Sequence, residues 1–365
     1  MAQEHGWHGA AGEFGRIVGH RPILAHPVVR SRSLPAPCTL VLMLADALRL
    51  DPLLVERPWG GRRLEGFGRV LPADVSIGES WEIADLPATA TTDERCTVVA
   101  EGPLAGVSLS ELITRFGAGL LGSAEPAPDG RFPLLVKLLD AREHLSVQVH
   151  PPHHVAAGDP GIRAKTESWY VLDAGEDAVL WFDVRTDVAD TELAAAIGTP
   201  AIVDLLGRVP ATIGAFHHIP AGRVHALGAG VIVLEIQTPS DTTFRIYDWT
   251  REYARPSRRL HPRDAVRSIE RHDESAASLA ASREPGVRQL VSSPDYWIRE
   301  HRSDGGPIML DDRAELRIVT VVAGSVALGD ETLARGDSRL LPAASSLLGR
   351  LDASDGSILV ETGLV

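Results

Sequence analysis

Cysteine is almost missing: Cys38 and Cys96 are the only two in 365 residues. They lack zinc-finger spacing and form no disulfide framework, which fits a reducing cytoplasm. Positive charge is also short. Lysine and arginine number 36 against 49 aspartates and glutamates, for a formal net charge of −13. A nucleic-acid binder would show a basic face, so that class is excluded. An anionic small molecule is still admissible, because a local basic cluster can oppose the global field. No apolar run reaches the length of a membrane span. The nearest, Cys38 to Leu50 ("CTLVLMLADALRL"), follows Arg30 and Arg32 and looks like a secretion signal. It begins far from Met1, and Asp46 and Arg49 interrupt it, so a cytoplasmic protein without membrane partners is expected.

Residues 1–42 have no sustained period and are rich in Gly, Ala, His, Arg and Pro. They read as a disordered extension, or as the result of a start placed ahead of a true one at Met43. His5, His8, His20 and His26 could make a metal-binding tail, but their spacing is irregular.

What the chain does contain is short β-like runs between Gly and Pro punctuation: "LLVKLL", "VQVH", "WYVL", "VIVLEI" and "FRIYDW". That texture predicts a mainly β fold, an antiparallel sandwich or barrel. A few helices interrupt it. "SLSELITRFGAGLL" carries a capping box, Ser108 with Glu111. "TPAIVDLLG" offers Thr199 as N-cap, Pro200 in the first turn and Gly207 past the end. "HPRDAVRSIE" is a third helix. The stretch His272 to Pro285 reads as a linker, and a smaller β unit follows over 286–365, expected to pack without chemistry of its own.

"LSVQVHPPHH" shows where chemistry can sit. His144, Ser146, Gln148 and His150 share one face of an extended segment, and Leu145, Val147 and Val149 share the other. Gln148 and His150, two residues apart, can share one metal ion. Downstream, "GAFHHIPAGRVHALGAG" spaces Gly214, Pro220, Gly222 and His225 as in the second motif of the cupin superfamily, where a Pro-x-Gly turn aims a strand residue into a barrel. Glu167 in "KTESWYVL" adds a carboxylate from a third strand. Two imidazoles and a carboxylate suit zinc, and also iron or manganese; a Gln oxygen is unusual for zinc. His153, His154, His217 and His218 read as surface or satisfied core histidines.

"LVKLLDAREHLSVQVHP", "KTESWYVL", "IPAGRVHALGAGVIVLEIQTPSDTTFRIYDW", "ERPWGGRRL" and "GESWEI" together resemble type I mannose-6-phosphate isomerases of the short bacterial form, from about Leu53 to Ile269. The resemblance implies a cupin-type barrel, or jelly roll, as the catalytic domain (43–271). It implies one zinc per chain on Gln148, His150, Glu167 and His225, and interconversion of mannose 6-phosphate and fructose 6-phosphate through an enediolate. Arg245 matches the family's catalytic arginine, and Lys137 and Lys165 match its pocket lysines. Each has a plainer alternative: an ion-pair partner for Asp241, a snorkelling strand lysine and a solvated loop lysine. Lys165, Glu235 and Asp241 stand as alternative acid–base groups. Ser146, and more speculatively Arg62 and Arg63, are candidates for the phosphate. Leu227 departs from members that carry an aromatic there, which leaves the sugar-side wall open. An Fe(II) oxygenase and a non-catalytic sugar-binding cupin are the alternatives; the Gln ligand and the Arg245 motif speak against the first, intact Lys165, Glu235 and Arg245 against the second.

Overall fold

The computed structural model describes residues 17–18, 44–88, 93–159, 161–272, 278–311, 314–345 and 349–365. As expected, the fold is mainly β. An eight-stranded antiparallel sheet runs, in spatial order, Ile17–Val18, Leu53–Gly61, Ile77–Ile83, Leu135–Ala141, Val231–Gln237, Glu167–Ala174, Phe216–Ile219 and Ser278–Leu279. A five-stranded sheet has the order Leu206–Pro210, Val179–Val184, His225–Leu227, Val147–Val149 and Phe244–Tyr247.

Strand alternation sorts the side chains. Val231 and Val233 join Leu139, Trp169 and Val171 of the large sheet and Leu180, Phe182 and Leu227 of the small one in a single apolar cluster. The two sheets therefore face each other across a shared interior. Ile232, Leu234 and Ile236 point the other way, into a second cluster with Leu109, Leu112, Ile298 and Ile318. Strands Leu135–Ala141 and Val231–Gln237 are buried along their whole length, which is why "LLVKLL" and "VIVLEI" read as near-continuous apolar runs. The charges that interrupt them, Lys137 and Glu235, fall on the inner face and pair across the ladder.

Strands from Gly286 to Leu364 form two further sheets, of five and four strands, around Val319, Val321, Leu341 and Leu359. They lock onto the large sheet by polar contacts as well as apolar ones. Tyr170 donates to Glu300 at 2.5 Å, and the Ser168 and Tyr296 hydroxyls are 2.9 Å apart.

Local expectations fared unevenly. The Ser108–Glu111 box caps Leu109–Phe116 with both reciprocal bonds. Pro200–Leu205 is a 3-10 turn, entered at Thr199 without a side-chain cap, because the Thr199 hydroxyl donates back to Ala196. Gly207 ends no helix; it lies within strand Leu206–Pro210. The presumed linker contributes a strand, Ser278–Leu279, paired with Phe216 and His217, while 273–277 lie outside the described residues. Of the N-terminal extension only Ile17–Val18 are described, paired in backbone register with Val55 and Leu54; Met43 and the tail histidines lie outside. Of the run that resembles a secretion signal, residues 44–50 are described, and Leu44, Leu48 and Leu50 lie in the core. Among the described residues no helix is long and apolar enough to cross a membrane.

Candidate active site

Three strands bring three ligand types together. His150 follows Val147–Val149, Glu167 opens Glu167–Ala174, and His225 opens His225–Leu227. His225 is aimed by the turn before it, where Gly222 takes φ 88°, a left-handed value that disfavours any other residue. The three side chains are buried, and their ligand atoms all lie within 4.8 Å of one another. Gln148 stands directly across the ladder from His225. From Ser146 onward the polar face of "LSVQVHPPHH" looks into an enclosed site, with Ser146 and His150 buried. The expected alternation fails before Ser146: His144 packs its ring against Trp181, Trp249 and Tyr253, and Leu145 joins the interior cluster of Leu139 and Leu227 instead of that of Val147 and Val149.

The hydrogen bonds fix the histidine tautomers. His150 Nδ1 lies 3.0 Å from the Thr242 carbonyl, and His225 Nδ1 lies 2.9 Å from the Arg223 carbonyl. A carbonyl only accepts, so each Nδ1 carries a proton, and in the neutral ring Nε2 is then the atom with the lone pair. Those lone pairs face Glu167: His150 Nε2 to Oε2 at 3.2 Å, and His225 Nε2 to Oε1 at 3.2 Å. Protonating the imidazoles does not resolve this for His150, whose pKa is pushed down to about 3, by burial first and then by Lys165. Glu167 stays ionised. Burial alone would raise its pKa, but the Lys165 ammonium 2.7 Å away outweighs that and holds it well below the usual carboxylate range. His150 Nε2 and both Glu167 oxygens are buried without a directed hydrogen bond. Two imidazoles anchored through Nδ1, with both Nε2 atoms converging on a carboxylate, are a donor set for a divalent cation. The Gln148 amide nitrogen sits 3.1 Å from His225 Nε2, and Ser146 Oγ is 3.1 Å from Gln148 Oε1. Turning that amide over presents its oxygen to the same point, with the Ser146 hydroxyl then accepting from the nitrogen.

Charged groups line the inner face beyond the triad. Lys165 Nζ lies 2.7 Å from Glu167, and Glu167 with Glu235 raises the lysine pKa despite burial. Lys137 Nζ is 3.0 Å from Glu235 and 3.7 Å from Glu79, so it is a buried bridge and not a snorkelling lysine. Glu235 also accepts from Trp169 at 3.1 Å, and burial raises its pKa against the pull of Lys137. Arg245 is 7% exposed, with Nε buried and unpartnered and Nη1 making one long bond to the Arg259 carbonyl at 3.4 Å. Burial, then Arg258, lowers its pKa to about 10, which leaves it charged at neutral pH. Asp241 pairs with Arg95 at 3.4 Å.

Arg62 is not brought to the triad. Its guanidinium is held by the Pro72 and Val75 carbonyls and by Glu65, on an exposed turn. Arg63 reaches Gly230 and Asp173. Leu227 is fully buried in the apolar interior, on the same face as His225. His218 Nδ1 bonds Ser168, and His217 Nδ1 bonds Ser278, but His217 Nε2 is buried without a hydrogen-bond partner, so His217 is not the satisfied core histidine expected. Sequence reasoning missed Arg57 and Glu79, a buried pair at 2.6 Å whose carboxylate also accepts from Trp81 at 2.6 Å. The signal was present: in "VERPWGG" Arg57 alternates with Val55 and Trp59 on the inward face.

Residues 47–179 match the family model described as phosphomannose isomerase type I, catalytic domain. The chain is 33% identical over 307 residues to the mannose-6-phosphate isomerase of Streptococcus mutans, covering 82% of this chain and 93% of that protein. It is 38% identical over 230 residues to the mannose-6-phosphate isomerase ManA of Bacillus subtilis, covering 62% and 69%. The crystal structure of the mannose 6-phosphate isomerase from Bacillus subtilis superposes with a TM-score of 0.74 at 30% identity, over 87% of this chain and all of that one. By fold, relatives and donor set, the chain belongs to the type I mannose-6-phosphate isomerases.

Proposed function

We propose that this enzyme interconverts mannose 6-phosphate and fructose 6-phosphate, with one zinc ion per chain held by Gln148, His150, Glu167 and His225. The observation that carries this reading is the convergence of two Nδ1-anchored imidazoles, through their Nε2 atoms, on the Glu167 carboxylate, each contact at 3.2 Å. Bound there, zinc would supply a Lewis acid for the sugar oxygens.

The remaining work falls to the chain's own residues. Isomerisation moves a proton between C1 and C2 and builds negative charge on two oxygens. Arg245 presents an unpartnered, buried, charged N–H to that charge. Glu235 is the proton carrier this reading favours. Burial raises its pKa, which makes its carboxylate a better proton acceptor than a free one. Lys165 holds its proton beside Glu167 and acts as a donor. Arg57, Arg95, Lys137, Lys165 and Arg245 outnumber Glu79, Glu167, Glu235 and Asp241 by one, before any metal. With a divalent cation added, the cavity favours a phosphorylated over a neutral sugar, in a protein that is otherwise acidic.

The test is direct. Purified protein is incubated with mannose 6-phosphate, with mannose, and with mannose 6-phosphate in deuterated water. Fructose 6-phosphate should form with solvent deuterium incorporated, and mannose should react far more slowly. Oxygen consumption without ketose formation would replace this reading with that of an oxygenase.

A further inference from the structure

A buried ion pair lies just behind the site without belonging to the ligand set. Arg223 is 1% exposed and Asp183 3%. Arg223 Nε donates to both Asp183 oxygens at 2.9 Å, and Nη2 donates to Oδ2 at 2.6 Å. Nη1 donates to the His218 carbonyl at 2.6 Å, and the guanidinium lies over the Phe182 ring, 4.7 Å from its centroid. Every side of Arg223 is thus occupied. Asp183 sits at the irregularity in the pairing of Val179–Val184 with Leu206–Pro210, with φ 55°. Residues other than Gly enter this left-handed region only singly and at a cost, Asp among the few that do. The strain places the Asp183 amide 2.8 Å from the Val224 carbonyl, and the preceding residue, Phe182, pairs with His225.

Such a pair is a poor device for stability alone. Exchanging a buried ion pair for apolar side chains of similar volume is often neutral or stabilising. What the pair does hold is backbone. The Arg223 carbonyl accepts from His225 Nδ1 at 2.9 Å, which sets the tautomer and the ring orientation. Fixing the Arg223 side chain at four points fixes that carbonyl.

We propose that Asp183 and Arg223 are positioning residues for His225: the pair anchors the carbonyl that aims Nε2 into the site, and so sets the metal affinity of the protein. This rests on the reading of His225 as a ligand. The test uses Arg223→Lys, the double variant Asp183→Leu/Arg223→Met, and His225→Ala as a control. Lysine keeps the charge but not the fork; the double variant leaves no uncompensated buried charge. Zinc affinity is measured by competition with a chromophoric chelator, alongside the melting temperature of the metal-free protein. The expected result is a tenfold to hundredfold weaker affinity in both variants, little change in metal-free melting temperature for the double variant, and kcat near wild type at saturating zinc. Wild-type affinity in both variants, with affinity lost in His225→Ala, overturns the positioning role. A loss of affinity seen only alongside a lower metal-free melting temperature overturns it too. Zinc retained by His225→Ala overturns the ligand assignment on which the proposal rests.

Discussion

At Arg245 a charged guanidinium is buried with its Nε unpartnered, on a strand whose next neighbour carries Gln148. A group held unsatisfied in the resting site gains most when charge develops opposite it, so its loss should appear in kcat. Arg245→Ala is expected to lower kcat by roughly 10²–10³ while KM moves only a few-fold. Steady-state kinetics on zinc-checked samples decide this; a steep rise in KM with kcat intact would make Arg245 a phosphate grip. At this scale the sequence was most informative where spacing encodes geometry. Gln148 and His150 are two apart, and Pro220, Gly222 and His225 form a turn that aims a side chain; the structure brings these residues together with Glu167. Arg62 was misleading because an arginine beside a Gly-Gly step carries no sign of direction, and local carbonyls claim it. Arg57 and Glu79 went without a role because the alternation that puts Arg57 on the face of Val55 and Trp59 does not say what that face looks at; their pairing across the ladder does.

Elements written in local code were legible, and elements defined by distant partners were not. The capping box over Leu109–Phe116 needs only Ser108 and Glu111, and it formed. Ser108→Ala should destabilise the fold by about 1 kcal/mol, read by denaturant unfolding, with turnover unchanged. An equal loss of kcat would tie that helix to the site. Thr199 had the same local credentials, but its hydroxyl returns to Ala196. The stretch around Gly207 is drawn into a ladder with Val179–Val184, a tertiary pairing that overrides its helical start and stop signals. Ser278–Leu279 read as linker because two residues have no period; their strand exists only through Phe216 and His217.

For the molecule as a whole, alternation and punctuation were enough to indicate a mainly β fold, but the order of strands in the sheets is a property of contacts between distant segments. Burial on that scale also sets a pH dependence. His217 and His218 are each pushed down to about 4 from an ordinary 6.5, by burial first and then by Arg223. Their folded pKa lies below the unfolded one, so the unfolded chain binds protons that the folded chain refuses. Stability from these two is complete above pH 6.5 and is lost as pH falls toward 4. The slope should be on the order of 1 kcal/mol per pH unit for each. Urea unfolding of the metal-free protein between those limits checks it; a flat profile would contradict the burial argument. The central claim is that catalysis depends on one zinc ion at His150, Glu167, His225 and Gln148. The most direct measurement strips the protein with chelator and titrates zinc back while following fructose 6-phosphate formation. The account predicts no turnover without metal, a linear rise that saturates at one equivalent per chain, and no rise in His150→Ala at that concentration. Full turnover in the stripped protein, or in His150→Ala at one equivalent, would contradict it.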